Sequence, residues 1–139
     1  MRIGYACLAL GVPGSALKGC TQKNADEARL ASLISNNLNA LERMVDYNLA
    51  NGIRLYRISS DLIPFGSSPV NRLDWTGLFR KDFQRIGEKI RAGGMRVTMH
   101  PGQYTVLSAP DEGVAVRSVK DLEYHTRVLD ALGTRQDSK

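Results

Sequence analysis

Two cysteines, Cys7 and Cys20, are all that this chain of 139 residues carries, and they form no Cys-x-x-Cys pair, so neither a disulfide framework nor a thiolate metal knuckle is expected. No apolar run approaches the ~20 residues that a membrane-spanning helix needs. Met1-Arg2-Ile3-Gly4-Tyr5 lacks the apolar stretch of a secretory signal, and a cytoplasmic location with no membrane partner is the expectation. Glycines such as Gly11, Gly14 and Gly102 are not spaced as a dinucleotide-binding fingerprint. Internal repeats and low-complexity runs are also missing.

What is present fits one ordinary domain: 42% hydrophobic and 24% charged residues are enough for a core. The formal charge of +5 suits a polyanionic partner, because Lys and Arg release counterions from phosphates.

Along the chain, residues 2–10 read as a first strand and 11–23 as a loop. Residues 24–50 read as a helix, with Asn24 as cap and Glu27 completing a capping box. Leu30, Ile34, Leu38, Leu41, Val45 and Leu49 repeat at helical spacing, and Gly52 supplies the stop. A second strand is expected at 53–58, followed by an irregular segment, 59–74, with Pro64, Gly66 and Pro69. Asp74 then opens a helix carrying Trp75, Phe79, Phe83, Ile86 and Ile90. The β-branched alternation of 95–99 reads as a third strand, entered from Gly93-Gly94 and ended at Pro101. Ser108 or Asp111 opens a last helix with Val119, Leu122, Val128, Leu129 and Leu132 inward and Gly133 as its stop.

Strands alternating with helices predict parallel βα units, with functional loops where the strands end. The fold class is therefore α/β: an open sheet, or the first three to four βα units of a TIM-type barrel. Residues 1–133 form the domain and 134–139 a polar tail. A partial barrel would leave an edge strand unpaired, so self-association through that edge is expected.

The most informative stretch is His100-Pro101-Gly102-Gln103-Tyr104, which sets an imidazole, a sharp turn, an amide and a phenol at one strand's carboxyl end. By residue type, His100 is a metal ligand or a strand-capping histidine bonded to backbone. His125, between Leu122 and Leu129 on a helix, reads as packing. Lys18, Lys23, Arg72 and Arg80 are candidates for phosphate contact or ordinary solvated charges.

Taken in order, Gly4-Tyr5, Tyr56-Arg57-Ile58-Ser59-Ser60-Asp61-Leu62-Ile63-Pro64-Phe65, His100-Pro101-Gly102-Gln103-Tyr104 and Ser108-Ala109-Pro110-Asp111-Glu112 resemble the UV damage endonuclease family. Val116-Arg117-Ser118 and Leu122-Glu123-Tyr124-His125 resemble it too. The resemblance implies the amino-terminal portion of a TIM-type barrel that nicks damaged double-stranded DNA immediately 5′ of UV photoproducts, using a cluster of divalent metals, commonly manganese. It implies a metal-ligand role for His100. Gln103 and Tyr104 would be inserted into the duplex where damaged nucleotides flip out, and Tyr5 would be a further stacking residue, although by residue type an aromatic on a strand is equally a core residue. Arg57 matches the family's arginine and is a candidate for phosphate or loop contact, needing a carboxylate partner if buried. Asp61, by residue type alone, reads as a residue that caps or orders the following loop.

Two positions depart from the family. Ser68 stands where the family's loop usually carries a histidine, and a neutral hydroxyl is a poor substitute at a divalent site. On the first strand the resemblance expects a polar residue, commonly asparagine, near the position that Ala9 occupies. The family's further ligands and a catalytic lysine would lie on later strands, so catalytic residues are left unassigned. Two other readings stay open: a truncated, non-catalytic chain that at most binds DNA, and a related metal-dependent barrel enzyme acting on sugars or abasic sites.

Overall fold

A computed structural model describes residues 1–134. The elements run β1 (Tyr5–Ala6), α1 (Glu27–Ala50), β2 (Leu55–Ser59), α2 (Trp75–Leu78), α3 (Arg80–Ala92), β3 (Arg96–His100) and α4 (Glu112–Ala131), with short 3-10 turns at Gln22–Asn24 and Ser60–Leu62. The strands form one parallel sheet in the order β1-β2-β3. Its register aligns Tyr5 with Tyr56, Tyr56 with Val97 and Ser59 with His100.

Side chains alternate across a strand, so the register decides which residues each face receives. Tyr56, Ile58, Val97 and Met99 are buried and join the core with Ile34, Leu41, Phe83 and Val128 of the helices. Ala6, Arg57 and Arg96 lie on the opposite face, exposed, with half-buried Thr98 between the strand ends. Arg57 is thus not the buried arginine that would need a carboxylate.

The first strand is much shorter than 2–10. Cys7 takes a left-handed φ of 65°, and after its amide bonds to the Arg57 carbonyl the chain turns away. α1 begins at Glu27, not Asn24. Asn24 ends the 3-10 turn, and the Asp26 carboxylate accepts from the Arg29 amide at 2.7 Å as the N-cap. Residues 59–74 are not wholly irregular, since Ser59 ends β2 and its hydroxyl caps the 3-10 turn.

The helix expected from Asp74 onward is broken at Phe79, whose φ, ψ of −108°, 23° end α2 and cap α3. The break lets Trp75 and Phe83 both reach the core, with ring centroids 5.8 Å apart. α4 opens at Asp111, which bonds the Val114 amide. Val119, expected inward, is 47% exposed, while Ser118 turns inward and is buried. Among the described residues no helix is long and apolar enough to cross a membrane. The polar tail lies outside the described residues except for Thr134.

Candidate functional site

The three strands deliver their following loops to one end of the sheet, where a cavity of about 440 Å³ opens. Lys18 and Cys20 come to it from the loop after β1, Asp61 and Phe65 from the loop after β2, Gly102 from the loop after β3, and Asp121 and His125 from α4. Each loop is tied down by a buried or half-buried side chain.

The loop after β1 is held by Asn37 of α1, which is fully buried. Its carboxamide accepts from the Lys18 amide at 2.8 Å and donates to the Lys18 carbonyl at 2.9 Å. The same amide nitrogen donates to the Leu62 carbonyl at 3.0 Å, so one side chain joins the loops after β1 and β2. Tyr124 holds the loop after β2 from the other side. Its hydroxyl accepts from the Ile63 amide at 3.0 Å and donates to the Ser60 carbonyl at 2.8 Å. Burial pushes this phenol well above its usual range, and the nearby carboxylates of Asp61 and Asp121 push the same way, so it stays protonated and able to donate.

The loop after β3 is held by α4. The Ser118 hydroxyl accepts from the Val106 amide at 2.8 Å, and the Thr105 hydroxyl donates to the Asp121 carboxylate at 3.2 Å. The other Asp121 oxygen accepts from the Ser67 hydroxyl. His125 is buried beside Tyr124, with ring centroids 5.3 Å apart. Burial lowers its pKa, and His100 adds to that effect while Asp121 opposes it, which favours a neutral imidazole at the cavity wall.

His100 is half-buried at the end of β3. Gln103 and Tyr104 follow on an exposed loop, and Tyr104 is 82% exposed. Ser68 is half-buried in the loop after β2, and its hydroxyl accepts from the Val70 amide at 3.2 Å. Asp61 is exposed, and Lys18 lines the cavity while Arg80 lines a separate hollow beside Asp74.

Tyr5 lies elsewhere. Its ring packs on Tyr56 at 5.0 Å and its hydroxyl donates to Asn48 of α1 at 2.8 Å, so it is engaged between the sheet and α1. Arg57 stands on the open face of the sheet.

The residue types at the cavity favour holding a ligand by hydrogen bonds and stacking. Among the described residues no three His, Cys, Asp or Glu side chains converge to hold a metal ion. The described residues alone therefore do not fit the metal cluster that the family resemblance implies. Neither Asn37 nor Asp121 is singled out by the sequence, and Ser118 enters it only as part of the Val116-Arg117-Ser118 segment. The available signal for the first was an amide on an otherwise apolar helical stripe.

The family model for UV-endonuclease UvdE matches residues 1–139. The chain is similar to a UV DNA damage endonuclease from Clostridium perfringens, 39% identical over 132 residues, covering 95% of this chain and 32% of that protein. A protein of the same description from Bacillus cereus is 31% identical over 146 residues, covering 99% of this chain and 46% of its own. A solved structure titled "Crystal Structure of SacUVDE" superposes with a TM-score of 0.92 at 34% identity, over 96% of this chain and 46% of that one. The chain thus spans less than half the length of these relatives, and the α/β partial-barrel expectation agrees with the superposition.

Proposed function

The chain belongs to the UV-endonuclease UvdE family, and from that premise we propose that it is the damage-reading, amino-terminal portion of a DNA repair endonuclease whose substrate is double-stranded DNA carrying UV photoproducts. The observation that carries this reading is the exposed Gln103-Tyr104 pair on a loop whose base is anchored to α4. A phenol projecting from a fixed base can stack on an unpaired nucleobase, and a carboxamide beside it can bond the edge of a base that has lost its partner. Photoproducts disturb stacking and pairing, so opening the duplex costs less at the lesion than elsewhere. The formal charge of +5 supports binding to the phosphate backbone without sequence preference.

Nicking 5′ of the lesion and the use of divalent metals, manganese among them, belong to the same proposal. His100 would be one ligand of a set that the described residues do not complete, and such metals supply water activation and charge neutralisation when bound. Arg57 and Ser68 enter as candidate contacts to phosphate or to a neighbouring loop, and Tyr5 as support for β1 rather than as a free stacking ring. A cytoplasmic location and self-association through an unpaired sheet edge complete the reading. The incomplete ligand set also favours a second outcome, in which this chain binds damaged DNA without cutting it.

The test uses irradiated and untreated supercoiled plasmid in manganese, with the parent chain and His100→Ala. Irradiation-dependent nicking that disappears in His100→Ala supports an endonuclease. Preferential retention of irradiated plasmid without nicking supports the damage-reading portion alone. Equal treatment of the two plasmids in both assays overturns the proposal.

A further inference from the structure

The geometry points to Asp121 as a positioning residue that locks the loop after β3 to the loop after β2, so that Gln103 and Tyr104 are held in a set position on the loop that brings Gly102 to the cavity; this rests on the reading above that the pair probes DNA. The carboxylate serves one loop with each oxygen: Ser67 donates to Oδ1 and Thr105 to Oδ2. Ser67 adjoins Ser68 of the β2 loop, and Thr105 adjoins Tyr104. Of its neighbours on the same face of α4, Ser118 bonds only the loop after β3 and Tyr124 only the loop after β2.

Asp121 works within a row. One turn before it on α4, Ser118 accepts from the Val106 amide, and one turn after it Tyr124 bonds Ile63 and Ser60. Residues three apart on a helix share a face, so α4 offers the loops successive polar contacts. The central one alone spans both. Its position matters because Tyr104 is 82% exposed and cannot fix its own direction by packing. An aromatic probe that is ordered before binding leaves less ordering to be supplied by the DNA contact. A hydroxyl-to-carboxylate bond is also stronger than one between neutral groups.

The experiment compares the parent chain with Asp121→Ala, Asp121→Asn, Ser67→Ala and Thr105→Val. Amide hydrogen exchange is followed at Gly66 and Ser68 in one loop and at Thr105 and Val106 in the other, all of which donate hydrogen bonds within or beside their loops. Asp121→Ala is expected to speed exchange about tenfold in both loops. Ser67→Ala is expected to loosen only the first loop and Thr105→Val only the second. Asp121→Asn, whose oxygen still accepts from Thr105 and whose amide can donate to Ser67, should restore most of the protection.

In parallel, the ratio of affinities for irradiated and untreated duplex is expected to fall about tenfold in Asp121→Ala while binding of untreated duplex stays within about twofold. A global structural role would not change that ratio selectively. Unchanged exchange in either loop overturns the proposal, and so does faster exchange with an unchanged ratio. If the parent chain shows no preference for irradiated duplex, the functional reading fails, while the exchange pattern still decides whether Asp121 holds the loops. Where Asp121→Ala does not fold, the two single-arm variants decide: loosening confined to each one's own loop supports the lock, and any other pattern overturns it.

Discussion

The carboxamide of Asn37 pairs with both backbone groups of Lys18, giving and taking a hydrogen bond as a neighbouring strand would. It does so from a fully buried position on α1, at the seam between two loops. Replacing it with Ala leaves an amide and two carbonyls short of partners. The expected cost is about 3 kcal/mol, since each orphaned buried group loses roughly 1–3 kcal/mol. Chemical denaturation of Asn37→Ala against the parent measures it, and a change within error would mean that the pairing contributes nothing.

Tyr124→Phe removes a hydroxyl that serves Ile63 and Ser60 while keeping the ring contacts with Trp75 and His125. Stability is expected to fall by about 1–3 kcal/mol. Exchange of the Ile63 amide should rise more than that of amides in α1, and a uniform increase would contradict this local account.

Acid should weaken the contact between α1 and α3 in a defined window. Arg85 and Lys89 bond the Glu42 carboxylate and hold its pKa at about 2, below the ordinary glutamate value of 4.5. A depressed folded-state pKa adds stability above the unfolded value and loses it as pH falls toward the folded one. The contribution is therefore present above 4.5 and disappears between 4.5 and about 2. Because the partners are largely solvated, the effect is expected to be modest. Thermal melts across that window should show a shallower acid slope for Glu42→Gln than for the parent.

Gly87 sits in α3 where a Cβ would lie 2.0 Å from the Leu132 carbonyl oxygen. In an open helix Gly→Ala stabilises by about 1 kcal/mol. Here the sign should reverse, because α4's end must move to admit a methyl group. A Gly87→Ala chain with a raised melting temperature would refute the close approach of α3 to the end of α4.

Self-association should be visible at moderate concentration. β1 and β3 are both edges of the sheet; Ile3, Leu8 and Leu10, which flank β1 in the chain, are exposed, as are Leu107 and Val119, which line a hollow against α4. Sedimentation velocity should show a weight-average coefficient that rises with concentration, whereas a constant monomer value would count against pairing through these edges.

The apolar stripe of α1 was legible because Leu30, Ile34, Leu38, Leu41 and Val45 keep helical spacing, and all are buried. The same stripe concealed Asn37 and Asn48, since periodicity registers which face is inward but not why an amide belongs there. Val119 was misread because hydrophobicity alone favoured it over Ser118, whereas the loop after β3 required a hydroxyl at the inward position. The end of β1 was hidden for a different reason. Cys7 adopts a left-handed backbone without being glycine, and its residue type gave no warning.

The exposed loop carrying Gln103 and Tyr104 could be read from the strand running into Pro101-Gly102. Its anchoring could not. Thr105 and Ser67 meet Asp121 only after the chain has folded through β3 and α4, so no local pattern joins the three.

The parallel register has a further consequence for the order in which the chain folds. Tyr5 finds Tyr56 and Leu55 finds Arg96 only across an intervening helix, so neither strand pairing closes a short loop. Loop closure must be met before such pairings return any stability, whereas α1 and α4 can begin from contacts between near neighbours. Refolding should therefore gain helical signal before the buried faces of Tyr56 and Val97 come together, with the sheet as the slow element of assembly.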